Sequence, residues 1–344
     1  MPSSTPGAPR PSIKALVPSA FTFALYLHTT LSLLLSFSRT RNKMAIKNVV
    51  LIGAGGNLGP AVLKGLLDAN FTVTILARSD SKSTFPTGIA VRRTDYTPAS
   101  LLAAFEGQDA VVSTIGAGGL EQQNAVVDAA AKAGVQRFIP SEFGSNTTNQ
   151  KNLDTVPLFQ GKVDHVAHLK SVAAAHPGFT WTSIITGGFF DWGLQVGFLG
   201  YDLHNHKATI YNAGDRRASV STLAQIGRAV AATLTHPTET ANKYIFVNSF
   251  TLTQNETLAA LESATGHKFT VARRTTADAN KAGREKLAKG DIENAVADLI
   301  LSGFYGEGTG NDFENDVEGG TSNKILGLPT EKVDEVIKQV LAGK

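Results

Sequence analysis

The chain has no cysteine, which excludes disulfide bonds, thiolate catalysis and cysteine-ligated metals. No histidine pair stands at metal-ligand spacing with a carboxylate. His204 and His206 read as solvated loop histidines, so no metal site is expected. No G-x-S-x-G segment occurs, which removes the serine nucleophile elbow. Acidic residues are missing from the start of the chain, the first being Asp68. The formal charge of +3 is therefore unevenly placed. Residues 1–43 hold Arg10, Lys14, Arg39, Arg41 and Lys43 and no acid, which leaves 27 of the 32 basic residues against 29 acidic ones, about −2, for the rest. A near-neutral body gives no reason to expect a nucleic-acid surface. What is there, 42% hydrophobic and 18% charged residues over 344 positions, has the composition of a soluble globular protein with a full core.

Before Met44 the sequence is rich in Ser, Thr and Pro. It contains an apolar run, Ala15 to Phe37, interrupted by Pro18, His28, Thr29 and Thr30. A bilayer span needs ~20 mostly apolar residues. Three readings stand: a signal anchor, a basic and acid-poor targeting peptide, or an upstream extension that the folded domain does not need. Met44, only a few residues before the first strand, favours the extension. The expected location is then cytoplasmic, with a membrane-anchored or organelle-targeted form as the alternative.

From Lys47 strand and helix patterns alternate. Short Val- and Ile-rich runs at 48–52, 71–77, 88–94, 109–115, 136–140 and 179–186 read as strands covered on both faces. Leu58, Val62, Leu66 and Ala69 recur at helical spacing, as do Gln123, Val126, Ala130 and Gly134. This alternation predicts an α/β fold, a Rossmann-type doubly wound parallel sheet. After Thr186 the rhythm changes. Short strands are expected at "KATIYNAGD" and "KYIFVNS" and an amphipathic helix at 222–234. Thr253 and Glu256 form a candidate capping box, 306–323 reads as a loop, and a last helix carries Val333, Val336, Ile337, Val340 and Leu341. The expected organisation is an N-terminal extension (1–43), a dinucleotide-binding domain (44–186), and a smaller substrate-binding lobe with C-terminal helices (187–344) interleaved with the sheet.

"NVVLIGAGGNLG" (48–59) places Gly53, Gly56 and Gly59 between the first strand and a helix. One glycine permits the tight turn, another lets amides approach a pyrophosphate, and the third lets helix and strand pack closely. The helix N-terminus then faces the phosphates. Gly55, Asn57 and Leu58 belong to the same expected cradle. The second strand ends in Arg78, where an NAD site usually carries an acid. A guanidinium there suits a 2′-phosphate, with Lys82 nearby. The expected cofactor is therefore NADP(H), and Asp80 is the counter-evidence. Asp95 is either an adenine contact or a helix-start signal ahead of Thr97-Pro98. Thr114 and Gly116, at the end of the fourth strand, are expected beside the nicotinamide ribose.

No tyrosine has a lysine four positions on, so the tyrosine–lysine pair of the main short-chain dehydrogenases is missing. What remains is "RFIPSEFGSN" (137–146) and "FQGKVDHVAHLK" (159–170). With the glycine loop, Arg78, "GDRRASVSTLAQIGRAVA" (214–230) and "TGGFFDWGL" (186–194), these resemble the isoflavone-reductase-like members of the NmrA-like, atypical short-chain dehydrogenase family. The resemblance spans about 46–340. It implies an NADPH-dependent reductase of an aromatic or conjugated secondary metabolite, with Lys162 as general acid/base and Ser141 and Phe143 beside the cofactor. A lysine in that role needs its pKa lowered, which burial does. Val166 stands where family reductases commonly carry arginine, with His165 next to it, so that contact does not transfer. Phe189, Phe190 and Trp192 either line a substrate pocket or pack between lobes. The alternative function is a non-enzymatic NADP-binding redox sensor of the NmrA type. The expected partner is a small molecule, with no nucleic acid, and a membrane only if 15–37 is an anchor.

Overall fold

The computed structural model describes residues 45–116, 119 and 122–343. The readings of residues 1–43 lie outside them. Ile46–Lys344 forms one compact unit.

The first half of that unit alternates strand and helix: β1 (Asn48–Ile52), α1 (Gly59–Asp68), β2 (Thr72–Arg78), β3 (Ala90–Thr94), α2 (Pro98–Phe105), β4 (Ala110–Ser113), α3 (Gln123–Lys132), β5 (Arg137–Ile139), α4 (Gln150–Thr155), α5 (Gln160–Ala175) and β6 (Thr180–Ile185). Successive residues of β1 point to opposite faces of the sheet. Val49 and Leu51 join one core with Val62, Leu66, Ile226 and Val230. Val50 and Ile52 join another with Leu101, Phe105, Val127 and Leu169. Both faces are dry at β1, β2, β4, β5 and β6, which is why those strands are continuous apolar runs rather than alternating ones. β3, expected to be covered in the same way, is largely exposed because it is the edge strand and carries Arg92 and Arg93.

Two elements from later in the chain return to this sheet. After β7 (Gly188–Phe189), α6 (Phe190–Gln195), β8 (Tyr201–Asp202), β9 (Lys207–Tyr211) and β10 (Ala218–Ser221) comes α7 (Leu223–Thr235), which packs along α1. The two meet at glycines: a Cβ on Gly65 would lie 2.4 Å from the carbonyl oxygen of Gly227, and one on Gly227 2.2 Å from that of Ala61. Next, β11 (Lys243–Phe246) pairs in parallel with β6. The sheet has seven strands in the order β11-β6-β5-β4-β1-β2-β3, and every pair in it is parallel. The order reverses between β1 and β4, and ligands of open α/β sheets bind at that switch point.

The rest of the unit contains β12 (Phe250–Leu252), α8 (Gln254–Thr265), β13 (Thr270–Arg274), α9 (Thr276–Ala288), α10 (Ile292–Phe304) and α11 (Val333–Ala342). Two three-stranded sheets, β12-β10-β7 and β13-β9-β8, surround a third core of Phe190, Tyr201, Ile210, Leu261, Phe304 and Ile337. The expected capping box opens α8, with Thr253 and Glu256 satisfying each other's backbone amides. Val336, Ile337 and Val340 form the buried stripe of α11. Helices α9 and α10 pack on each other and, through Leu287, Ala295 and Leu299, on Leu153, Val156 and Phe159. No helix among the described residues is long and apolar enough to cross a membrane.

Candidate functional site

Three cavities share walls along the carboxyl ends of the strands. The outer one, about 550 Å³, is lined by Gly53–Gly56, Arg78, Tyr96, Thr114 and Gly116. The middle one, about 430 Å³, adds Asn57, Leu58, Ser141, Phe143 and Lys162. The inner one, about 450 Å³, runs from Phe143 and Lys162 to Trp192 and Phe304. Together they make a crevice from the end of β2 to α10.

The glycine loop forms the floor of the outer part. Gly53 has φ +83°, and a Cβ on it would lie 2.7 Å from the Thr114 carbonyl. Only glycine accepts both conditions. A Cβ on Gly59 would lie 2.4 Å from the Gly53 oxygen, so the loop folds directly under the first turn of α1. No side chain caps that helix and its first turn holds no acid. Its free amides and positive dipole end face the crevice, an arrangement that suits an anion.

At the other end of this cavity Arg78 is exposed and reaches Asp80 at 3.6 Å. Arg78 lines the cavity and Asp80 does not. Arg93 braces the turn by donating to the main-chain oxygens of Arg78 and Ser81, at 3.2 and 2.9 Å. Lys82 is exposed and does not line the cavity. Asp95 does not line it either. Its carboxylate accepts from the amide and hydroxyl of Thr97, the residue that caps α2, at 3.0 and 2.8 Å, which depress its pKa. Its neighbour Tyr96, half-buried at φ +63°, lines the cavity and packs against the second core. A tyrosine in the left-handed region is uncommon and marks a constrained position. Ser81, Ser83 and Phe85 complete the wall. Ser81, Ser83, Phe85 and Tyr96 had no signal in the sequence beyond lying after Arg78.

In the middle cavity the hydroxyl of Ser141 donates to the Ile115 oxygen at 2.7 Å, joining the ends of β4 and β5. Lys162 enters from the first turn of α5. Its ammonium donates to the main-chain oxygen of Glu142 and lies 5.7 Å from the centre of the Phe159 ring. Burial lowers its pKa and the charge of Glu142 opposes that shift. Among the described residues, Lys162 is the sole ionisable side chain on the walls of the middle and inner cavities. The inner walls are otherwise mostly aromatic and aliphatic, Phe143, Phe159, Phe189, Trp192, Phe198 and Phe304 with Val296 and Ile300 from α10, and include the polar Asn57 and Ser145.

Of the three aromatics expected at a substrate pocket, Phe189 and Trp192 line it, their rings edge to face at 6.3 Å. Phe190 does not. It is 1% exposed and packs in the third core against Phe250, because the chain turns from β7 into α6 between Phe189 and Phe190. His165 is also buried. Its Nδ1 bonds Asn124 Oδ1 at 2.6 Å, and burial first, with His168 second, lowers its pKa to about 4. It does not reach the crevice. Among the described residues no three His, Asp or Glu side chains are grouped to hold a metal ion.

The sequence profile of the NmrA-like family matches residues 45–295. The chain belongs to the NmrA-like family. Among curated relatives it is 40% identical over 307 residues to the oxidoreductase aprR of Aspergillus flavus, covering 87% of this chain and all of that protein. It is 34% identical over 293 residues to the oxidoreductase poxI of Penicillium oxalicum, covering 84% of this chain and 92% of that one. Among solved structures, that of AtPrR2 with NADP+ and (+)-pinoresinol superposes with a TM-score of 0.69 at 20% identity, over 86% of this chain and 99% of that one. That likeness fixes the NmrA-like protein as a member of the same α/β architecture.

Proposed function

We propose that this NmrA-like protein is an NADPH-dependent reductase of a small, uncharged aromatic or conjugated molecule, with Lys162 as its proton donor. The observation that carries the reading is the crevice itself. A glycine cradle and a free helix N-terminus open onto an aromatic cavity whose one ionisable wall residue, among those described, is Lys162. Both relatives are named oxidoreductases, and the structural neighbour is the protein solved with NADP+ and (+)-pinoresinol. Bound NADPH supplies a hydride. The chain supplies the rest.

Gly53, Gly55, Gly56, Asn57, Leu58 and Gly59 hold the pyrophosphate through backbone amides. Arg78 holds the 2′-phosphate through charge-assisted hydrogen bonds, and Tyr96 gives the adenine an aromatic face. Thr114, Gly116, Ser141 and Phe143 bound the nicotinamide end. Phe189, Trp192, Phe198 and Phe304 enclose the substrate and exclude water. Apart from Lys162 the described wall carries no charge, so a charged substrate would be desolvated with little to pair it. Lys162 delivers a proton to the anion that hydride addition leaves. Residues 44–186 supply the cofactor half of the crevice, and 187–344 most of the substrate half.

The test uses 4-deuterated NADPH and a panel of quinones, enones and phenylpropanoids, with mass spectrometry of the products. Wild type is expected to move deuterium into at least one of them. Lys162→Ala should bind NADPH as before and transfer at least about 100-fold more slowly, the lower end of general-acid contributions. Tight NADPH binding with no deuterium moved to any compound would overturn the reductase reading in favour of a redox sensor.

A further inference from the structure

Glu142 follows Ser141 in the turn after β5. It is 2% exposed and lines none of the three cavities. A carboxylate so placed loses its hydration, and its charged form survives only with partners. Two are present. The hydroxyl of Thr147, itself 3% exposed, donates to Oε1 at 2.5 Å. The second is Lys162, whose ammonium is tied to the main-chain oxygen of this same residue. No ion pair closer than 4.0 Å joins Lys162 to a described carboxylate, so the two charges act on each other across a gap.

Among the described residues, the surroundings of Lys162 hold no other group placed to set its charge. The glycine loop contributes Asn57, the turn after β5 contributes Phe143 and Ser145, and α6 and α10 contribute Trp192, Val296 and Ile300. The charged groups of the packed elements are engaged elsewhere. On its own helix His165 and His168 face Asn124 and Asp128, and Asp164 meets Gln160 at the surface. On α6, Asp191 accepts from the Leu223 amide. On α10, Asp298 is held by Arg274 and Lys286, and Glu293 is exposed.

We propose that Glu142 is the positioning residue of Lys162: its main chain fixes the amine in the crevice, and its buried carboxylate keeps that amine charged, so that the lysine enters the reaction as an acid. This rests on the reading of Lys162 as proton donor. The proton balance is complete. Hydride and the Lys162 proton go to the substrate, a neutral amine remains beside an anion, and that anion favours uptake of a replacement proton from water. Burial alone pushes Lys162 toward the neutral form, and the Glu142 charge is the opposing influence.

Competitive acetylation of the full chain with acetic anhydride across a pH series, read by mass spectrometry of the Lys162 peptide, measures the titration of that amine without substrate or turnover. Glu142→Gln keeps the side-chain shape and an acceptor for Thr147 while removing the charge. The half-titration pH of Lys162 is expected to fall by about one pH unit or more, the scale of an opposite charge at close range. Thr147→Val, which withdraws only the hydrogen bond to the carboxylate, should move it the same way by less, and serves if the glutamine variant does not fold. An unchanged half-titration pH in a folded variant overturns the proposal, because a carboxylate with a purely structural role alters stability and leaves the lysine alone. That result would leave the reductase reading standing. Absence of deuterium transfer would remove the reductase reading whatever the acetylation showed.

Discussion

His165 is folded into the chain in its neutral form. A carbonyl oxygen, Asn124 Oδ1, accepts from Nδ1, and Nε2 is buried with no partner. Its folded pKa is lowered from 6.5 to about 4, while the unfolded chain keeps the ordinary value. Below pH 6.5 the unfolded state therefore binds the extra proton, and stability falls as pH drops from 6.5 toward 4, by up to about 3 kcal/mol at 1.36 kcal/mol per pH unit. Above 6.5 this group contributes nothing to the pH dependence. His165→Gln keeps a donor for Asn124 and does not titrate. Urea unfolding at pH 7 and pH 4.5 should show wild type losing more stability than the variant, and equal losses would mean His165 is not the acid-sensitive point. The glycines and Arg78 stood out in the sequence as candidates by residue type and spacing, and Lys162 through the family resemblance alone. Glu142 and Tyr96 did not. A carboxylate buried in a turn and a tyrosine at positive φ leave no periodic trace. Phe190 misleads for a related reason: a strand-to-helix switch beside it reverses which way the side chain points.

The crossing of α1 and α7 sets the angle at which the free N-terminus of α1 meets the glycine loop. Its closeness depends on Gly65 and Gly227, where backbone faces backbone. Helix propensity favours Gly227→Ala by ~1 kcal/mol. The added Cβ would lie 2.2 Å from a main-chain oxygen that has no rotamer to yield. Overpacking of this kind costs about 1–3 kcal/mol, so the contact wins and the substitution is expected to destabilise. Urea unfolding decides the sign, and a stabilised variant would show that the two helices do not touch there. The six strands and the helix ending near Thr235 were legible because each has one clear apolar pattern. Helices α9 and α10 had no such pattern. On α10, Ala295 and Leu299 face the neighbouring helices while Val296, Ile300 and Phe304 face the crevice. A helix apolar on two sides has no single stripe to read.

Because the sheet, the glycine loop and the later helices belong to one compact unit, cofactor binding should register in the stability of all of it. A ligand at 100 times its dissociation constant stabilises by about 2.7 kcal/mol, which for a unit of this size is a rise in Tm of roughly 4 °C. Arg78 decides how much of that NADH can match. Hydrogen bonds to a charged group contribute ~1.5–3 kcal/mol, so loss of the 2′-phosphate should weaken binding about ten-fold or more. At equal concentration NADH should then give about half the NADPH shift or less. Asp80, 3.6 Å from Arg78, competes for the guanidinium and keeps the preference toward the lower end. Arg78→Ala should reduce the NADPH shift to that of NADH and leave the NADH shift nearly unchanged. Thermal unfolding with each cofactor, in both proteins, is the measurement. Equal shifts from NADH and NADPH in wild type would mean that the turn after β2 does not read the phosphate, and that Arg78 is a solvent-facing residue paired with Asp80.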